Sequence, residues 1–263
     1  MKGENPVITD IKCKFWSFLV SQFRKNRHKY KILLVLSHMR SGSTLLMNLL
    51  NTNKEISGYG ETHIKYSSED DFDRLYLAIL KEVLKFRLPK KYLADKILHS
   101  HLIADDSILN LPNIRIIFLI REPNEALASI ARMKGKHYDL KFAEKHYTER
   151  LLKLQEYAMK IKNTEKCLFL TYDQIIDNTD SVFKVLKRFL DVKHDFSESY
   201  NVASANERLG VGDHSDIIKA GRIIRNVQRK PITLSAKIKQ KTKKIFQGCK
   251  KTFGKYCTVI GNI

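Results

Sequence analysis

The sequence of 263 residues has no apolar run near the roughly 18 residues that a membrane-spanning helix needs. Its N-terminal apolar stretch, residues 15–20, lies among charged residues without a cleavage site after it, so we expect no signal peptide. The four cysteines lack CxxC spacing, which argues against a zinc site or a disulfide framework. These absences predict a cytoplasmic protein with reduced thiols and no metal.

Carboxylates are absent from residues 219–263, which carry thirteen Lys and Arg residues. Residues 1–31 have eight basic side chains against two acidic ones, whereas residues 32–218 are nearly balanced, with 27 against 26. The net charge of +20 is therefore concentrated at the two ends. Basic ends attract phosphates, nucleic acid, anionic lipid or acidic glycans, and charge alone does not choose among these partners.

The order of apolar segments predicts the fold class. Runs rich in branched and aromatic residues predict strands at 31–37, 55–59, 92–98, 114–120 and 167–171. Helical spacing predicts helices at 11–25, 43–51, 71–87, 139–161 and 180–190, with a further helix beginning near Pro123. This alternation favours an α/β fold, in which helices flank a central parallel β-sheet. We expect one domain over residues 1–230, followed by a basic C-terminal tail over 231–263 that is either an amphipathic helix or disordered.

A phosphate-binding turn is predicted where the first strand ends. The apolar residues 33–36 give way to Ser-His-Met-Arg-Ser-Gly-Ser-Thr, after which apolar residues recur at helical spacing. A strand, a tight turn and a helix N-terminus form a P-loop-like anion site, because backbone N–H groups and the helix dipole both favour negative charge. Arg40 adds a permanent positive charge and a planar fork of donors.

The loop departs from the motif of nucleotide kinases, in which Lys follows the last glycine and a hydroxyl binds Mg²⁺. Here Ser43 follows Gly42, and no acidic strand end for Mg²⁺ is evident. A kinase with a degenerate phosphate loop is the alternative to the interpretation below. A further alternative is a basic membrane- or nucleic-acid-binding protein, although the tail has few of the interleaved aromatic residues that nucleic acid favours.

Three motifs in order resemble the sulfotransferase family, whose members use 3′-phosphoadenylyl sulfate (PAPS) as donor. The sequence from Arg40 to Thr44 resembles the family's 5′-phosphosulfate loop. A strand that ends in Arg121, with Ser129 on the following helix, is similar to its 3′-phosphate motif. Tyr172, after a later strand, resembles the family's tyrosine near the adenine. The resemblance covers about residues 31–225.

The resemblance implies that a sulfuryl group moves from PAPS to a hydroxyl or amine of a glycan, glycolipid or small molecule. It assigns Arg40 to stabilisation of the leaving group, and Arg121 with Ser129 to the 3′-phosphate. It also implies contacts to the nucleotide from a C-terminal segment that contains residues 209–215, Lys219 and Arg222. The residues implied to cradle the 5′-phosphate, without Mg²⁺, are Ser41, Gly42, Ser43 and Thr44.

A base must take the acceptor's proton. Glu61 follows the second strand, where the carbohydrate-type members of the family carry a basic carboxylate, and we rank it first. His99, which together with Lys96 resembles the Lys and His of small-molecule sulfotransferases, ranks second. His63 is favoured by its ordinary pKa alone. The remaining scattered histidines are expected at the surface: His137, His146, His194 and His214.

The loop around Arg40 is closer to the carbohydrate types of the family than to the Lys-Ser-Gly-Thr type. A bacterial-type enzyme that sulfates a glycan, glycolipid or lipid-linked precursor at the inner membrane face fits both the loop and the basic tail. The tail would then contact anionic lipid peripherally.

Overall fold

The computed structural model of the protein describes residues 6–58, 60–83, 91–133, 135, 138–202, 216–227 and 232–260. These residues form helices and strands in alternation. The α-helices are α1 (Pro6–Lys25), α2 (Ser43–Leu50), α3 (Asp71–Val83), α4 (Pro123–Ala131), α5 (Leu140–Lys160), α6 (Tyr172–Asp177), α7 (Thr179–Leu190), α8 (Asp216–Lys219) and α9 (Ala236–Tyr256). The strands are β1 (Lys31–Ser37), β2 (Ile56–Ser57), β3 (Tyr92–Ile97), β4 (Ile114–Ile120), β5 (Cys167–Thr171) and β6 (Thr258–Val259).

The six strands form one sheet in the order β2-β3-β1-β4-β5-β6, and each neighbouring pair is parallel. The prediction of a central parallel sheet flanked by helices is therefore confirmed. Because the strands are parallel, their carboxyl ends lie along one edge of the sheet, and the loops that follow them share that edge.

Alternate residues of the central strands pack into two separate cores. Leu34 and Leu36 of β1 belong to one core, with Phe23, Tyr76 and other side chains from α1, α3, α4, α5 and α9. Leu33 and Val35 of β1 belong to the other core, with α2, α6 and α7. This alternation follows from the period of two in a strand, and burial on both faces explains why the central strands β1 and β4 are largely apolar.

The C-terminal segment packs into the domain. α9 begins after the expected boundary at residue 230 and lies against α5, where Lys241 Nζ is 2.8 Å from Glu144 Oε1. Phe253 of α9 is fully buried, and its ring centroid lies 4.8 Å from that of Phe118 and 5.0 Å from that of Phe169. β6 then pairs with β5. The structure therefore places residues 236–259 in the same folded unit as the sheet.

Three short elements were not predicted, α6, α8 and β6, because six, four and two residues are too few to show a period in the sequence. α4 begins at Pro123 as expected, and the Glu122 side chain caps it by accepting from Asn124 N and Glu125 N. Within the described ranges, none of the helices is long and apolar enough to cross a membrane.

Candidate functional site

The predicted site residues follow the carboxyl ends of four neighbouring strands. β1 ends at Ser37 before the phosphate-type loop, and β4 ends at Ile120 before Arg121. β3 ends at Ile97 before the turn that carries His99, and β5 ends at Thr171 before Tyr172. The parallel sheet therefore gathers segments that are more than a hundred residues apart in the sequence.

The loop after β1 has a backbone that few residues tolerate. Gly42 is the N-cap of α2 and has a φ of 92°. A Cβ atom on Gly42 would lie 2.3 Å from Tyr172 Cδ2, so only glycine fits between the loop and this ring. Arg40 also has a positive φ, of 61°. α2 begins directly after this loop, and Ser43 and Thr44 in its first turn are both buried.

The side chains of the two predicted phosphate motifs meet. Arg40 Nε donates to Ser129 Oγ at 2.8 Å. Arg121 Nη1 donates to the Arg40 carbonyl at 3.4 Å, Arg121 Nη2 contacts Glu125 Oε2, and the Arg121 guanidinium lies 4.1 Å from the centroid of the Tyr172 ring. The sequence assigned Arg40 and Ser129 to opposite ends of the donor, whereas here their side chains are hydrogen-bonded to each other.

His38 joins the ends of β1 and β4, and sequence reasoning gave it no role. Its ring is fully buried, with Nδ1–H donating to Met39 O at 2.8 Å and Nε2 accepting from Arg121 N at 3.1 Å. Tyr147 Oη donates to the Arg121 carbonyl at 2.8 Å. Burial lowers the pKa of His38 to about 3, so the ring is neutral and its tautomer is fixed by these two bonds.

Lys96 connects β3 with the first turn of α2. It is 1% exposed, and its Nζ donates to Thr44 Oγ1 at 2.9 Å. The neighbouring Asp95 holds the loop that carries Glu61, since it accepts from Thr62 N at 3.0 Å and from Tyr66 Oη at 2.8 Å. Burial raises the pKa of Asp95 to about 6 in spite of these bonds.

Glu61 lies beside His63 and His99, and these three side chains form what is called the mouth of the site below. Its Oε1 is 3.7 Å from His63 Nδ1 and 3.8 Å from His99 Nε2, distances beyond direct hydrogen bonds. Burial raises the pKa of Glu61, and the charges of Lys96, His63, Arg150 and His101 oppose that rise. Burial therefore favours the protonated carboxyl group, and the nearby positive charges favour the carboxylate.

Two further histidines lie beside His99. The ring centroids of His101 and His146 are 5.6 and 5.8 Å from that of His99, and His146 Nε2 accepts from Met39 N at 3.4 Å. The expectation that His146 is a surface residue was wrong, because α5 turns it inward toward the loop. Burial and the neighbouring charges lower the pKa of both His99 and His146 to about 4.

Other predicted residues are not gathered with this group. Lys219 and Arg222 have exposed side chains, and among the described residues no hydrogen bond or ion pair joins either of them to Arg121 or Ser129. Residues 209–215, His137 and His214 lie outside the described residues, and His194 is exposed. No cluster of three or more His, Cys, Asp or Glu side chains suited to a metal ion occurs within the described ranges.

The loop after β1, residues 38–42 and called the donor loop below, fits a phosphate-bearing ligand together with Arg121. Ser41 Oγ and Arg121 Nε are buried donors with no hydrogen-bond partner among the described residues. Buried donors are rarely left unpaired, so both atoms are suited to an anionic oxygen. Arg40, Lys96 and Arg121 supply positive charge around them.

The buried neutral His38 predicts a pH-dependent stability. Because its pKa is lower in the folded protein than the ordinary 6.5, the unfolded chain binds the proton more readily, and stabilisation present at pH 7 is lost as the pH falls. We expect His38→Gln to lower the free energy of unfolding at pH 7. The difference in this free energy between wild type and variant should shrink by about 2 kcal/mol from pH 7 to pH 5. Urea unfolding across this range measures the difference. A difference that stays constant with pH would contradict a neutral His38.

Comparison with known proteins identifies the family. A model of the sulfotransferase domain matches residues 31–209. The sulfotransferase domain from the curacin biosynthetic pathway is 17% identical, with 82% of this chain and 97% of that domain covered and a TM-score of 0.53. The sulfotransferase domain of the Synechococcus PCC 7002 olefin synthase is 18% identical, with 83% and 94% covered and a TM-score of 0.52. Curated proteins provide no match.

The two solved structures support the fold, and the family match carries the assignment because it spans more than half of the chain. It decides against the kinase alternative, and against a basic binding protein without enzymatic activity. The protein belongs to the sulfotransferase family and is an enzyme that transfers a sulfuryl group from PAPS.

Proposed function

We propose that the donor is held by the loop after β1 together with the ends of β4 and β5. Arg40, Ser41 and the backbone N–H groups of the first turn of α2 bind the 5′-phosphosulfate, and Arg121 with Ser129 binds the 3′-phosphate. Tyr172 lies beside the adenine. The observation that carries this proposal is the contact of Arg40 with both Ser129 and Arg121, because it couples the two anion-binding motifs.

We propose Glu61 as the base that accepts the proton of the acceptor hydroxyl. PAPS supplies an activated sulfuryl group whose departure leaves negative charge on a phosphate oxygen. As the acceptor oxygen bonds to sulfur and the bond from sulfur to the phosphate oxygen breaks, the proton passes to Glu61 Oε1. Arg40 and Lys96 stabilise the charge on the leaving oxygen. Glu61 is supported by its burial and by an Oε1 atom that lacks a hydrogen-bond partner among the described residues.

A hydroxyl of a glycan or glycolipid is the proposed acceptor. The side chains beside Glu61 at the mouth are polar, and that of His63 is 51% exposed. The large hydrophobic side chains that are exposed within the described ranges lie elsewhere, on α1 and α5 (Phe15, Phe18, Leu152 and Met159). A polar mouth suits a sugar better than an aromatic or steroid-like acceptor.

Calorimetric titration with adenosine 3′,5′-bisphosphate tests the donor site. We expect micromolar binding in the absence of Mg²⁺, weakened on the order of 10- to 100-fold by Arg121→Ala, since a charge-assisted contact contributes about 1.5–3 kcal/mol. Arg115→Ala is the matched control, because it removes the same side chain from the other end of β4. No binding by the wild type would exclude the proposed donor site, and equal effects of the two variants would remove Arg121 from it.

Glu61→Gln tests the base. Incubation of PAPS with fractionated glycan and glycolipid extracts, followed by mass spectrometry, should detect an added sulfuryl group with the wild type. We expect Glu61→Gln to slow this transfer on the order of 10²–10³-fold, because general-base catalysis contributes about that much, while binding of adenosine bisphosphate is retained. His99→Gln should slow it less. The reverse order would make His99 the base.

We also propose that α9 contacts an anionic membrane surface. Its 21 residues include eight lysines and no carboxylate. Successive residues of a helix are turned by about 100°. Lys244, Lys251 and Lys255 therefore lie on the same side of α9 as Lys241, which contacts Glu144 of α5. Leu152 and Met159 of α5 are each more than half exposed and could enter the headgroup region.

Cosedimentation with vesicles tests this contact. Deletion of α9 is unsuitable, because it removes the buried Phe253. We expect the wild type to sediment with phosphatidylglycerol vesicles but not with phosphatidylcholine alone. The variant K244Q/K251Q/K255Q should bind on the order of 100-fold more weakly, at about 1 kcal/mol per lysine. The variant K239Q/K243Q/K250Q removes the same charge from the opposite flank, and an equal loss would contradict a defined docking face.

A further inference from the structure

Arg150 lies behind the site at the centre of α5, and no motif in the sequence drew attention to it. Its side chain is buried, with 2% of the residue exposed. Nε donates to the Ser37 carbonyl at 2.9 Å and Nη2 to the Ile97 carbonyl at 2.7 Å, while Nη1 is 3.1 Å from Ser100 Oγ. One guanidinium therefore bridges the last residues of the neighbouring strands β1 and β3.

The charge of Arg150 is costly where it lies. Its hydrogen-bond acceptors among the described residues are two carbonyl oxygens and the Ser100 hydroxyl, and Tyr157 also interacts with it. All of these groups are neutral. Burial lowers its pKa to about 10, so the group remains a cation at neutral pH. A buried cation without a bonded carboxylate is destabilising unless it interacts with negative charge further away. A neutral side chain could join the two strands at a lower cost, which indicates that the charge itself has a role.

The contacts of Arg150 set the distance between the loop after β1 and the turn after β3. Ser37 directly precedes His38 and the donor loop. Ile97 and Ser100 bracket the turn that carries His99, and the Tyr157 hydroxyl supports the same turn by donating to the Ser100 carbonyl at 3.2 Å. Catalysis by positioning requires that the donor loop and the base keep a fixed separation, and a shift of about 1 Å costs on the order of 100-fold in rate.

The charge of Arg150 acts on the groups that could take the acceptor's proton. Glu61 faces Lys96 and Asp95 from β3, His63 from its own loop, His99 and His101 from the next turn, and Arg150 from α5. His99 faces His101, His63, Arg150 and, from α5, His146. Arg150 is a cation that lies behind Glu61 and His99. Its charge favours a charged carboxylate and an uncharged imidazole. Because its side chain is buried, it does not occupy the space that the acceptor needs.

We propose that Arg150 is a positioning residue for sulfuryl transfer, which fixes the loop after β1 relative to the turn after β3 and places its positive charge behind Glu61 and His99. The electrostatic part of this role rests on the proposed function, in which Glu61 is the base and His99 the second candidate. Because a cation lowers the pKa of either group, removal of Arg150 moves the acid limb of activity toward higher pH whichever of the two accepts the proton.

NMR titration of the His99 imidazole tests the proposal without an acceptor. We expect Arg150→Met to raise the pKa of His99 by about 1 unit, and Arg150→Lys to leave it near the wild-type value because the charge is kept. Turnover of PAPS with water as the acceptor should fall on the order of 10-fold or more in Arg150→Met. Lys160→Met, which removes an exposed cation from the same helix, should change neither measurement.

A folded Arg150→Met with an unchanged His99 titration would overturn the proposal, as would an equal shift in Arg150→Lys. If Arg150→Met does not fold, Arg150→Lys and Ser100→Ala test the positioning role instead. Both should slow PAPS turnover several-fold and leave the pKa of His99 unchanged. Wild-type rates in both variants would overturn the positioning role. Where water turnover is too slow to measure, the titration decides alone. Binding of adenosine bisphosphate to the wild type is measured separately, so failure of the donor site is distinguishable from failure of this inference.

Discussion

The site depends on how two parallel strands end. β1 and β4 are neighbours, and their last residues would carry unpaired backbone groups into a buried region if nothing joined them. The neutral ring of His38 satisfies a carbonyl on one side and the Arg121 N–H on the other. A protonated ring would have two donors and would leave the Arg121 N–H without its acceptor. The geometry of both anion-binding motifs therefore rests on one buried, uncharged histidine.

The same edge of the sheet is rich in cations. Four cations approach it among the described residues: Arg40, Arg121, Lys96 and Arg150. The buried carboxylates near them are Glu61 and, below it, Asp95. An enzyme that binds a donor with several negative charges needs this excess, because desolvated anions are stabilised only by nearby positive charge. Burial lowers the pKa values of His99 and His146, and the positive charge of Arg150 lowers them further. One charge distribution thus serves donor binding and keeps potential bases unprotonated.

Much of the fold and part of the site followed from local patterns. Strands β1, β4 and β5 were recognisable because burial on both faces makes them largely apolar, whereas β2 and β3 were recognisable as short extended segments. Gly42 was recognisable because a tight turn before a helix requires it. Arg121 was found because it follows a strand and precedes Pro123. His38, His146 and Arg150 were not found from the sequence. Each hydrogen-bonds to a residue roughly a hundred positions away: Arg121, Met39 and Ser37 respectively. β6 was missed for the same reason, because its two residues become a strand only beside β5.

The sequence by itself determined the fold class, the phosphate-type loop and the membership of a family that transfers sulfuryl groups, because these depend on residue order within short segments. The tertiary structure decided which of those residues meet. It joined Arg40 to Ser129, surrounded Glu61 with histidines, turned His146 inward and brought α9 into the core through Phe253. The physical reason is that contact, burial and pKa depend on neighbours in space, and a parallel sheet makes neighbours of segments that the sequence keeps far apart.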